Sequence, residues 1–212
     1  MRSAIPLLTA ASDSLAKVND VTTISPHAQR ERIVRWDDPL ALAEAGRTMS
    51  GREFLDAMLR GELPLPPIFH LIDFALDRIE DGRVELVSRP NESQYNPIGS
   101  VHGGIIATIL DSAMACAVHT KMPAGRAYTT LEINVNYLRG VNCDVGPITA
   151  VGRVVHLGRQ TAMAEGSLSD AGGKLYAQAS TTCLIFDVPG VRLVEMRREG
   201  SASGAAIGER NP

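Results

Sequence analysis

NPIGSVHGGIIATILDSAMACAVHT, residues 96–120, is the stretch whose chemistry sets the reading of this chain. An Asn-Pro turn and a His-Gly-Gly step lead into an apolar run: Ile105, Ile106, Ile109, Leu110, Ala113, Met114, Ala117 and Val118. The spacing is helical, yet these side chains fill most of the circumference, which predicts a helix buried nearly all round. One carboxylate, Asp111, interrupts the run. A charge in that setting is costly unless a backbone group or hydroxyl satisfies it, or unless it is used chemically. The sequence admits both.

Downstream, the period changes to that of strands. Thr129 to Leu138 alternates, with Leu131, Ile133, Val135 and Tyr137 in one phase and Thr130, Glu132, Asn134 and Asn136 in the other, as a half-buried strand does. Ile148 to Leu157 and Thr161 to Ser169 read as two more strands joined by a turn at Gly158-Arg159; after Asp170-Ala171-Gly172-Gly173 the last runs from Leu175 to Phe186. Upstream, strands at about 73–80 and 83–89 flank Asp81-Gly82, a strong hairpin signal. Pro64, Pro66 and Pro67 read as a stiff linker, with a mostly strand-like pattern expected from Ile68. Ser50-Gly-Arg-Glu53 fits a capping box, followed by the stripe Phe54, Leu55, Met58 and Leu59, which Gly61 ends. Asp38 to Thr48 predicts a short helix capped by Asp37 or Asp38, with Pro39 at its first position.

Short turns make antiparallel neighbours. A hairpin, a long helix and four strands therefore predict an α+β fold: one curled antiparallel β-sheet of five or six strands wrapped around the buried helix, or a helix partly covered by a second subunit. The expected organisation is a mobile N-terminal arm at 1–35, a helical extension at 36–63, the main domain at 64–187 and a disordered tail at 188–212, rich in Arg, Gly, Ser and Ala.

Composition excludes several classes. The chain has 212 residues, 44% hydrophobic, and a net charge of -3, which supports an ordinary core and gives no reason to expect nucleic acid as the main partner. No apolar run approaches a membrane span. The opening MRSAIPLLTAASDS has one Arg and a short apolar stretch broken by Pro6, which falls short of an export signal. Cys116, Cys143 and Cys183 form no CxxC pair, predicting reduced thiols in a cytoplasmic protein. The five histidines make no ligand-spaced cluster, so no metal is expected.

The candidate site residues are Asn96, His102, Gly103, Gly104, Asp111 and Thr130. Two glycines at a helix start leave amides unobstructed at the positive end of the helix dipole, where a carbonyl oxygen would be polarised; they also suit a turn that needs only close packing. Asn96 fits either a turn before Pro97 or a side-chain donor to the same carbonyl. His102 fits a helix cap or a support for Asn96. Thr130, in the polar phase of its strand, is either solvated or holds a water beside a carboxylate. Gly103 and Asp111 are eight residues apart, about 12 Å along a helix. A base and a carbonyl donor must both lie within about 3 Å of the reacting atoms. If both act, two antiparallel helices from two subunits must supply them.

The segments NPIGSVHGGIIATILDSA, YTTLEINVNYLRG, VVHLGRQTAMAEGSLSD and GGKLYAQASTTCLIF resemble a hotdog-fold acyl-CoA thioesterase of the PaaI type, the phenylacetyl-CoA thioesterase branch. The resemblance spans about residues 64–187. It implies a homodimer with shared active sites, often paired into a tetramer, in which Asp111 is base or nucleophile, Gly103 with Asn96 polarises the thioester carbonyl, His102 supports them and Thr130 orients water. Gly104 would line the substrate, and Arg139 and Arg159 are candidates to meet coenzyme A phosphates. No cofactor is implied, coenzyme A being part of the substrate. A hotdog dehydratase would use a catalytic His in a motif this chain lacks. A non-catalytic acyl-CoA-binding or regulatory hotdog protein is the alternative from another class, although the acid and the Gly-Gly are intact. The acyl group itself is not legible.

Overall fold

The computed structural model describes residues 30–188. The expectations for residues 1–29 of the arm and 189–212 of the tail lie outside the described residues; 30–38 carry no regular secondary structure. The helical extension forms α1 (Pro39–Thr48) and α2 (Gly51–Leu59). Of the two candidate caps, Asp38 is the one used: its Oδ1 accepts from the Leu40 N–H at 2.9 Å. Both halves of the Ser50–Glu53 capping box are present.

The strand-like expectation from Ile68 needs correction. Residues Pro67–Ile72 form a short helix, α3. Pro67 at the first helical position has the φ a helix needs and no N–H to lose. Phe69 and Ile72, three residues apart, are buried while Leu71 is exposed, and Asp73 stops the helix at φ 67°, its N–H donating to the Phe69 carbonyl at 2.8 Å.

Six strands follow: β1 (Phe74–Glu80), β2 (Arg83–Ser88), β3 (Arg126–Tyr137), β4 (Ile148–Leu157), β5 (Thr161–Asp170) and β6 (Leu175–Asp187). They form one sheet in the order β1-β2-β4-β5-β6-β3, antiparallel throughout. The long helix, α4 (Gly103–His119), enters the sequence between β2 and β3 and touches all six strands, so the sheet curls around it as expected. Its cover is one-sided, however. Ile106, Ile109, Leu110, Ala113, Met114, Ala117 and Val118 are buried against the sheet. Ala107, Thr108, Asp111, Ser112, Ala115 and Cys116, on the opposite face, are only half-buried. The helix reads as apolar all round, yet a single chain covers one side.

Among the described residues no helix is long and apolar enough to cross a membrane.

Glycine sets the depth of the helix. Gly152 of β4 and Gly166 of β5 lie directly opposite each other in the ladder. A Cβ on Gly152 would come within 2.2 Å of the Ala113 carbonyl oxygen, and one on Gly166 within 3.0 Å of Met114 Cγ. The α4 backbone thus rests on bare β4 backbone. The C-terminal end is tied down as well. The Gly82 N–H of the β1–β2 turn donates to Thr120 Oγ1 at 2.8 Å, and the Gly51 N–H of α2 donates to the Met122 carbonyl at 2.9 Å.

These contacts differ in how far they can yield. Gly152→Ala drives a methyl into helix backbone, whereas Gly166→Ala meets a flexible side chain. Gly152→Ala should cost about 3 kcal/mol or more and Gly166→Ala about 1 kcal/mol, measured by urea unfolding. Equal costs would show that the helix does not sit on Gly152 as described.

Candidate active site

The site is assembled at the N-terminal end and the half-open face of α4. The loop before it is closed by backbone bonds: the Asn96 N–H donates to the Ser100 carbonyl at 2.7 Å and the His102 N–H to the Gln94 carbonyl at 2.8 Å. Within that loop Asn96 is a turn residue. Its Oδ1 accepts from the Ile98 and Ser100 N–H groups at 3.0 and 3.2 Å, and its Nδ2 donates to Ser100 Oγ at 3.0 Å. Nδ2 has a second hydrogen, and the side chain is half-buried.

The two glycine amides are not equivalent. The Gly104 N–H donates to His102 Nδ1 at 2.9 Å, so His102 is the N-cap and Gly104 has its donor occupied. A neutral His102 ring then carries its proton on Nε2. The Gly103 N–H meets no acceptor among the described residues. Gly103 also has a packing reason. The Tyr137 hydroxyl donates to its carbonyl at 2.9 Å, and a Cβ at 103 would lie 3.2 Å from Tyr137 Cζ. Sequence reasoning placed Tyr137 only in an apolar strand phase. Nothing local to either segment signals this contact, which links residues 34 positions apart.

Two turns along α4, Asp111 Oδ1 accepts a hydrogen bond from Thr130 Oγ1 at 3.0 Å. Strict alternation would turn Thr130 away from the helix, together with Glu132 and Asn134. A β-bulge prevents this. In the β3–β6 ladder Thr130 faces Cys183 and Glu132 faces Thr182, leaving Leu131 as the extra residue, 60% exposed. The bulge reverses the phase, so Tyr128 and Thr130 share the helix-facing side with Ile133 and Val135. The freed Glu132 carbonyl accepts from Thr181 Oγ1 at 2.7 Å.

Burial pushes the Asp111 carboxyl above its ordinary range, and the Thr130 hydroxyl opposes that rise. Cys116, one turn further on, is pushed up to about 12 by burial and by the Asp111 charge, so it stays a thiol. Burial also raises Tyr128 and Cys183, with Asp111 adding to both shifts. The acid therefore sits in a poorly hydrated setting, held by one hydroxyl. That arrangement suits a group that must take up a proton.

Arg139 and Arg159 are not brought together. Arg139 lies just past the C-terminal end of β3, where its Nη1 donates to the Leu175 carbonyl at 2.5 Å. Arg159 lies in the β4–β5 turn beside the first residue of β3, its carbonyl accepting from Arg126 Nη2 at 2.8 Å. The 12 residues of β3 separate them, about 40 Å of extended chain.

The fold matches that of known proteins. A family model described as "Thioesterase superfamily" matches residues 98–177, from the loop before α4 into β6. A phenylacetic acid degradation-related protein from Ralstonia eutropha JMP134 is 30% identical, with a TM-score of 0.57 over 61% of this chain and 98% of that one. The 1,4-dihydroxy-2-naphthoyl-CoA hydrolase of Listeria monocytogenes is 24% identical over 107 residues, 50% of this chain and 85% of the relative. The PaaI protein of the E. coli phenylacetic acid degradation operon shares the fold at 19% identity, with a TM-score of 0.57 over 66% of this chain and 98% of that one. With its curled sheet, its central helix and a 30% identical relative covered almost end to end, the chain belongs to the thioesterase superfamily and is a hotdog thioesterase with PaaI-type proteins among its structural neighbours.

Proposed function

We propose that the protein hydrolyses acyl-CoA thioesters to coenzyme A and a carboxylic acid, with Asp111 activating water as a general base or attacking as nucleophile. The observation that carries this reading is the Asp111 carboxylate itself. It is half-buried on an open helix face, raised by desolvation and fixed by Thr130 at 3.0 Å. The Gly103 N–H, at the positive end of α4, polarises the thioester carbonyl, with the second Asn96 Nδ2 hydrogen as its partner donor. Gly104, its own N–H engaged, contributes close approach of backbone to substrate. His102 fixes the first turn, and Thr130 orients both carboxylate and water. No metal or cofactor enters the scheme.

The working unit is a homodimer with two shared sites, and a tetramer is its further assembly. Two features support the dimer. Gly103 and Asp111 lie about 12 Å apart along one helix, and β3 is an edge strand of 12 residues with one side unpaired in the single chain. A long open edge invites a second copy. Antiparallel pairing about a two-fold axis would set the Gly103 end of one β3 beside the Arg159 end of its partner. Arg139 of one chain and Arg159 of the other would then come close enough to share the phosphates of one coenzyme A. With a substrate of this kind and no membrane-length helix among the described residues, the cytoplasm is the proposed compartment.

Asp111→Asn should retain fold and oligomeric state and lower kcat by about 100-fold or more, read by thiol release from acyl-CoA substrates. Survival of activity within a few-fold would make Asp111 structural. The base form must be deprotonated, and burial raises its pKa. The acid limb of kcat/KM should therefore fall above the ordinary aspartate range of about 3.9. Thr130→Val removes the group that lowers the pKa, so it should move the limb to higher pH; a limb that stays put would remove Thr130 from the site.

Sharing of sites is tested by complementation. Asp111→Ala and Gly103→Pro, the latter lacking the N–H, should each give inactive homodimers. Once Gly103→Pro is shown to fold, refolding the two together should restore about a quarter of the wild-type sites by statistical mixing. No recovery after verified subunit exchange would place both groups in one chain.

A further inference from the structure

The thioester carbon beside Asp111 carries two arms, coenzyme A and the acyl group, which must leave in different directions along α4. Toward the N-terminus the surface is polar: the Thr108 hydroxyl on the Gly104 carbonyl at 2.9 Å, the Tyr137 hydroxyl on Gly103 and the His102 cap. Toward the C-terminus it is less so. On the half-open face the side chains after Asp111 are Ser112, Ala115 and Cys116, flanked by Tyr128 of β3, and the next large one is His119.

At His119 the face is closed. Its ring stacks on Phe54 of α2, with centroids 5.5 Å apart and planes at 25°, and meets the Tyr128 ring edge-on at 5.3 Å. Phe54 is backed from behind, since a Cβ on Gly46 of α1 would lie 3.5 Å from its ring. The α2 N-terminus is pressed against the end of α4 so closely that a Cβ on Gly51 would fall 1.8 Å from the His119 carbonyl oxygen. The two helices of the extension therefore hold one aromatic side chain against the end of the face that carries Asp111.

We propose that the Phe54–His119–Tyr128 stack is the end wall of the acyl pocket and sets the longest acyl chain the enzyme hydrolyses; this rests on acyl-CoA hydrolysis at Asp111. Burial lowers His119 to about 4, so at neutral pH the wall is uncharged and compatible with an apolar chain. Asp111 and His119 are eight residues apart, about 12 Å along the axis. Allowing for the thickness of the ring, an extended chain of about six to eight carbons fits that length at ordinary C–C bond lengths. The substrate class is accordingly a short-to-medium apolar acyl-CoA, and the extension is the part of the chain that excludes longer ones.

The test is kcat/KM across acetyl-, butyryl-, octanoyl-, dodecanoyl- and palmitoyl-CoA with the full-length protein. Wild type should fall steeply beyond octanoyl-CoA. Phe54→Ala and His119→Ala should raise the dodecanoyl-to-butyryl ratio of kcat/KM by about tenfold or more, whereas His119→Phe, which keeps a ring, should hold the wild-type ratio. Ala115→Leu, one turn before His119 on the same face, should act in the opposite sense and lower the octanoyl-to-acetyl ratio. That variant keeps the idea testable if loss of Phe54 unfolds the extension. A wild-type preference for palmitoyl-CoA, or ratios that stay fixed in folded variants, would overturn the wall while leaving acyl-CoA hydrolysis intact. Absence of turnover on every acyl-CoA, with activity on another thioester, would instead overturn the function on which the wall rests.

Discussion

The contact between helix backbone and sheet backbone at Gly152 governs the rest of the molecule. Sheets and helices ordinarily keep their axes about 10 Å apart because side chains stand between them. Here one strand residue has none, and the Ala113–Met114 turn of α4 drops into the gap. That depth lets a helix of 17 residues touch every strand of a six-stranded sheet. It also orients the helix. With Ala113, Met114, Leu110 and Ala117 directed into the sheet, Asp111 and Cys116 must lie toward the side the sheet does not cover.

The bulge at Leu131 is the second constraint, and it acts on the first. A regular β3 would present Thr130 to solvent and leave Asp111 half-buried without a hydroxyl. One extra residue reverses the phase of the strand at the level of Asp111. The carboxylate gains its hydrogen bond, and the Thr181 hydroxyl takes up the carbonyl that the bulge frees. Two polar debts that would each cost a kcal/mol or more if left unpaired are thereby met. The same bulge turns Leu131 outward on the edge strand, where a single chain leaves it 60% exposed.

Much of this was legible in the sequence, and the misses have a common cause. Period-two runs, Gly-containing turns and a capping box are local signals, and they located the strands, the Asp81-Gly82 hairpin and α2 closely. The long apolar run located α4, and its lone acid marked the candidate site. What failed was non-local. A bulge is defined by the partner strand, so alternation left Thr130 open between solvent and a place beside a carboxylate, and the structure puts it on Asp111. Ile68 to Ile72 is too short for its period to separate helix from strand. The Gly103–Tyr137 contact joins the ends of two elements that the sequence keeps apart. Gly-Gly was legible as a pair of free amides, but His102 is close enough to occupy one of them, and only geometry shows which.

The half-open face of α4 suits the chemistry proposed for it. An acid at the centre of a helix buried all round would be protonated or paired, and closed to substrate and water. One left in open solvent would ionise at the ordinary aspartate value and make a weak base at neutral pH. Covering the helix on one side only, with a single hydroxyl on the carboxylate, places Asp111 between those limits: desolvated enough to be raised, yet reachable. The apolar side chains on that face do not favour exposure to water. A second copy packed there would bury them and desolvate the acid further, while bringing its own helix N-terminus toward the carboxylate. The incomplete cover of the helix in one chain is thus what a site divided between two chains, as proposed above, requires.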